Sequence, residues 1–155
     1  MKKLDLPGWA SVAEIVASIA VVVSLLFVAY SVKRNTEEMA IANTNFMYEL
    51  DARITADLSS DPALAAITVK VEQGQALSEI EKLQYLHLQH RYLTVWEIAW
   101  THYHRGSLDE DEWLAWNQYY GATARAGLPR EWWREIRAFY KPAFAAHVEA
   151  AYAGR

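Results

Sequence analysis

Residues Val12 to Val32 read VAEIVASIAVVVSLLFVAYSV, an almost wholly apolar run with one acid, Glu14, near its start and Lys33-Arg34 directly after it. About twenty residues at 1.5 Å per residue give roughly 30 Å of helix, the thickness of a hydrocarbon core. The valines and isoleucines do not argue for a strand here. A lone strand leaves its backbone polar groups unsatisfied in lipid, whereas a helix satisfies them internally. The run therefore predicts one membrane-spanning helix. Cleavage as a signal peptide is the alternative. Lys2-Lys3 would form its charged lead, but the apolar run is long for that purpose and is followed by more helix-forming sequence.

Around the span, Trp9 is an interfacial anchor and Pro7-Gly8 reads as a break before it. Ser11 is placed to cap the helix with Glu14 three residues on, the capping-box spacing, which sets Glu14 near the headgroups. The competing reading makes Glu14 an intramembrane carboxylate, with Ser18 four residues on along the same face. Ala13, Ala17, Ala20 and Ser24 follow at steps of four, three and four, so small side chains share one face. Small residues let helices approach closely in lipid, and this face is the expected interface of a homo-oligomer. Cations flank both ends in nearly equal number. The abutting Lys33-Arg34 pair tilts the expectation toward a cytoplasmic domain and an inner-membrane location.

The chain has 155 residues, enough for this anchor (1–34) and one modest domain (35–155). Past Arg34 there are 11 Lys/Arg against 17 Asp/Glu, an acidic balance that disfavours nucleic acid as a partner. The absence of cysteine excludes disulfides and thiolate metal sites. Seven Trp and nine Tyr imply heavily aromatic packing, or aromatic surfaces that meet a partner.

The domain reads as all helix. No Gly or Pro interrupts Asn35 to Leu58, so the first helix either continues out of the membrane or restarts at Asn35 with Glu38 at the third helical position. Ile41, Asn45, Tyr48, Ala52 and Leu58 form one stripe on it, and Phe46, Leu50 and Ile54 a second. Asp61-Pro62 opens a short helix that Gly74 ends. Ser78 with Glu81 boxes the start of a long helix to about Arg105, apolar on most sides and hence central. Ser107 with Glu110 forms a third box, and Trp113, Trp116 and Tyr120 then make a buried aromatic stripe. Gly127 and Pro129 mark the next boundary. Trp132, Trp133, Ile136, Phe139 and Tyr140 follow, and Lys141-Pro142 restarts the chain into Phe144, Val148 and Tyr152. The expected fold is all-α, an N-terminal transmembrane helix followed by a small helical bundle.

Candidate chemistry is sparse. His87, His90 and Glu97 share a face of the long helix, but neither an HExxH nor a Glu-x-x-His pair occurs, so no metal or cofactor is expected. Asp109 to Glu112 lacks the alternation and glycine turn of a calcium loop and reads as an acidic first turn. No activated nucleophile and no phosphate-binding glycine loop appears, so no catalytic activity is inferred. Arg125, Arg130, Arg134 and Arg137 give a basic side, interleaved with Glu131 and Glu135.

The order of Lys33-Arg34-Asn35-Thr36, Ser60-Asp61-Pro62, Leu77-Ser78 with Glu81, Gly106 before Leu108-Asp109 and Trp113, and Trp132-Trp133 before Phe139 and Phe144 resembles a widespread group of small bacterial proteins. These are single-pass membrane proteins with a C-terminal helical domain and no known activity, so the resemblance implies a fold and no site residues. The expected function is that of an inner-membrane interaction or scaffold protein, self-associating, with the lipid bilayer and a membrane protein as partners. The alternative is a small oligomeric channel with Glu14 and Ser18 towards its axis.

Overall fold

Asp61 fixes the first boundary after the apolar helix. Its extended backbone (φ −108°, ψ 100°) leaves the helical region, and Pro62 behind it has no N–H to continue the ladder. Its Oδ1 accepts from the amides of Ala63 and Leu64 at 2.9 and 3.3 Å, starting a new helix where the previous one stops. In a computed structural model describing residues 6–154, the order is α1 (Leu6–Ser60), α2 (Pro62–Glu72), α3 (Glu79–His104), α4 (Glu110–Gly127), α5 (Arg130–Ile136), a 3-10 turn (Arg137–Phe139) and α6 (Pro142–Tyr152). The described residues contain no strand. The fold is all-α, a long apolar N-terminal helix followed by a small helical bundle.

Two compact units divide the chain, one up to Met39 and one from Ala40. In the first, α1 begins at Leu6. Pro7 therefore falls in the first helical turn, where a missing N–H costs nothing, and Pro7-Gly8 is not a break. Ser11 then lies inside the helix and is not its N-cap, so the expected box with Glu14 does not form. Nor does the helix restart at Asn35. Arg34 and Glu38 pair at 2.8 Å and Lys33 and Glu37 at 3.8 Å, both four apart along an unbroken helix.

The second unit is built on α3. Ser78 Oγ accepts from the Glu81 amide, and the Glu81 side chain accepts from the Ser78 amide, so the capping box closes as the spacing predicts. At its other end Gly106 takes a left-handed φ of 69°, and the Ser107 amide reaches back to the His102 carbonyl. Ser107 is thereby spent on ending α3. Its hydroxyl also bonds to His102, so the expected box with Glu110 is absent and Asp109 is the N-cap of α4.

The core gathers around Trp96, which is 0 % exposed and meets Phe144 edge-on. Tyr85, Leu88, Leu93, Val95 and Ala99 of α3 are buried with Trp113, Trp116 and Tyr120 of α4 and Phe144 and Val148 of α6. Full burial of each large apolar side chain stabilises the unit by about 1.5–3 kcal/mol. Residues 40–60 of α1 pack through a face that takes Leu58 from the first expected stripe and Leu50 and Ile54 from the second. Ala40, Thr44, Met47, Asp51, Ile54 and Leu58 turn inward, while Ile41, Asn45, Phe46, Tyr48 and Ala52 stay exposed. Thr44 and Asp51 on this face both have partners. Thr44 donates to Glu112 at 2.9 Å, and Asp51 accepts from the Tyr120 hydroxyl at 2.6 Å. Asp57, on the flank, pairs with Arg91 at 2.7 Å.

Candidate functional site

The apolar stretch of α1 is the first candidate. Its large side chains from Val12 to Val32 are 42–69 % exposed, and Ala13, Glu14, Ala17, Ser18, Ala20 and Ser24 are exposed with them. An apolar surface so continuous is costly in water, and a helix of this length and composition is suited to lipid. Ser18 Oγ donates to the backbone carbonyl of Glu14 at 2.8 Å, so the hydroxyl is engaged by its own helix.

Several titratable groups of the second unit are engaged in its packing. Among the described residues no cluster of three His, Asp or Glu side chains could hold a metal ion. His90 Nδ1 is 2.6 Å from the Tyr140 hydroxyl, and Glu97 accepts from the Lys141 amide at 2.9 Å, so the face that carries His87 is already divided. His104 Nδ1–H donates to the Trp100 carbonyl at 2.8 Å, one turn back in α3. Burial holds the Tyr120 hydroxyl above its ordinary range, and the bond it donates to Asp51 adds to this.

One polar cluster has no signature in the sequence. Asn117 Oδ1 accepts from the Trp96 indole at 3.0 Å and meets His147 Nε2 at 2.6 Å. The His147 ring lies against Trp96, Trp113 and Phe144, and this burial lowers its pKa below 6.5. The three residues lie on α3, α4 and α6, and no spacing within one helix relates them. The cluster joins those three helices.

Two clefts remain. In the first, about 280 Å³, the Tyr85 hydroxyl donates to the Gly127 carbonyl at 2.7 Å, and burial pushes its pKa up to about 12. A Cβ added at Gly127 would come to 2.7 Å of that hydroxyl, so a larger residue there displaces the Tyr85 side chain. Beside it, the Gln89 carbonyl oxygen is buried without a partner. The second, about 270 Å³, is lined by Arg130, Trp133, Arg134, Arg137, Glu149 and Tyr152. Three of the four arginines noted in the sequence thus converge on one cavity. The steps of four and three between them place them on one side, while the tertiary contact with α6 supplies the opposite wall.

Compared with protein-family models, with curated proteins and with solved structures, the chain matches none.

Proposed function

We propose that this chain is a non-catalytic interaction or scaffold protein of a bacterial inner membrane, anchored by residues 12–32, with its helical domain on the cytoplasmic side. The observation that carries the reading is the continuous exposure of large apolar side chains along that segment, a surface that lipid covers without loss. Lys33 and Arg34 at its end favour a cytoplasmic placement of the domain beyond them.

The proposed role includes self-association. Ala13, Ala17, Ala20 and Ser24 allow close backbone approach within lipid. In the second unit, the bundle takes its contacts from the Met47/Ile54 face, so Ile41, Phe46 and Tyr48 remain 50–62 % exposed and open to a partner in water. Each 100 Å² of apolar surface covered there contributes about 2.5 kcal/mol before the costs of association.

The test is copy number in a membrane mimic. Native mass spectrometry of the full chain in mild detergent and in nanodiscs should give one defined oligomer, and Ala17→Leu with Ala20→Leu should shift it toward monomer while the domain keeps its circular dichroism. A strict monomer at micromolar protein in every mimic overturns self-association. Release of the protein by alkaline carbonate overturns the anchor. Ion flux in liposomes, abolished by Glu14→Gln, would replace the scaffold with a channel.

A further inference from the structure

The arginine-lined cavity between α5 and α6 has no place in that reading, and its chemistry is specific. Arg130, Arg134 and Arg137 line it with a single acid, Glu149, which leaves the lining at +2 in a chain of net charge −4. Part of this charge is used internally. Arg130 donates to the Tyr152 carbonyl at 2.8 Å and lies over the Tyr152 ring, and Arg137 pairs with Glu149 at 2.9 Å. Arg134 has no hydrogen bond or ion pair to any described residue, yet it stands between the other two. Trp133 lines the same cavity at 3 % exposure, and its indole N–H is buried without an acceptor. An orphaned buried donor carries a cost that a ligand's acceptor removes. Each guanidinium has five N–H groups, so Arg130 and Arg137 keep donors to spare after their internal bonds.

We propose that this cavity binds a phosphate monoester. The ligand must be an anion, because the lining offers donors and an excess of positive charge. A dianion matches the +2, and three terminal oxygens use the guanidinium forks and the indole N–H more fully than the two of a carboxylate. The inference is independent of the oligomeric state. The monoester has two sources, a soluble organophosphate or the headgroup of phosphatidic acid, and both present the same group.

Isothermal titration of the full chain in phosphatidylcholine nanodiscs with glycerol 3-phosphate tests the soluble source. Nanodiscs containing phosphatidic acid, followed by 31P NMR of the headgroup, test the lipid source. Saturable binding in either arm is expected. Arg134→Gln should weaken it at least tenfold without altering the thermal melt, since Arg134 has no structural partner to lose. Arg134→Lys should restore only part of the loss, because an ammonium keeps the charge without the planar fork. Trp133→Phe, which keeps an aromatic though smaller ring and removes the donor, should weaken binding severalfold. Absence of saturable binding at millimolar ligand in both arms overturns the proposal, as does an affinity unchanged in Arg134→Gln.

Discussion

Asn117 is the acceptor on which three helices depend, and its loss sets a measurable cost. In Asn117→Leu the side chain keeps its approximate volume but no longer accepts from the Trp96 indole, 3.0 Å away, or meets His147 Nε2, 2.6 Å away. Trp96 is 0 % exposed, so no water replaces the lost acceptor, and an unsatisfied buried donor costs about 1–3 kcal/mol. His147 is half-buried and able to turn partly toward solvent, so its share falls near the lower end, about 1 kcal/mol. The two together give about 2–4 kcal/mol. For a domain of this size that lowers Tm by about 8–16 °C. Thermal melts of the full chain in mild detergent, followed by near-ultraviolet circular dichroism of the tryptophans, would read the shift. The control is the same substitution in a Trp96→Phe background. With no indole N–H to orphan, the cost of Asn117→Leu should there fall to about 1 kcal/mol, the share of His147. A melt within about 2 °C of wild type, or an undiminished cost in the Trp96→Phe background, would refute the shared-acceptor argument.

Three further outcomes rest on the same kind of contact. Tyr120→Phe removes the hydroxyl that donates to Asp51 at 2.6 Å and should cost about 1.5–3 kcal/mol in urea denaturation, more than Tyr119→Phe, whose ring is exposed. Gly127→Ala places a methyl 2.7 Å from the Tyr85 hydroxyl and should cost about 1–3 kcal/mol by the same measurement, with Tyr85→Phe relieving part of it. His147 and His102 both have pKa values lowered chiefly by burial, so the unfolded chain binds protons more readily than the folded one. Stability should therefore be full above pH 6.5 and decline as pH falls below it, levelling off below the folded pKa values, and His147→Phe should flatten part of that slope in melts between about pH 7.5 and 5.5.

Much of this protein is legible in the chain alone, for local reasons. The long apolar helix is a matter of length and hydropathy, and these act without reference to the rest of the fold. The Asp61-Pro62 start, the Ser78–Glu81 box and the Gly74 and Gly106 stops each need only neighbours within a few residues, and each stands where the residues put it. The Trp113, Trp116, Tyr120 stripe recurs at helical spacing and is buried as that spacing implies, while Leu114 and Tyr119 of the same helix stay exposed. Ser107 is the local exception. Its hydroxyl has two possible uses, and the turn that ends α3 brings His102 within reach before α4 begins.

The inward face of α1, the Asn117 cluster and the arginine cavity are decided by tertiary contact. Apolar residues surround α1 beyond Met39, so counting them cannot select a face. The face that packs carries Thr44 and Asp51, polar residues that are acceptable inside only because Glu112 and Tyr120, 68 and 69 positions away, meet them. Asn117 likewise has no meaning within α4, and acquires one when Trp96 and His147 arrive from other helices. Arg134 shares a side with Arg130 and Arg137 by spacing alone, but the wall formed by Glu149 and Tyr152 of α6 is what turns a basic face into a cavity. Helix formation is short-range along the chain. The choice of which polar groups are buried is not, because a buried polar group costs or stabilises according to a partner that local sequence does not contain.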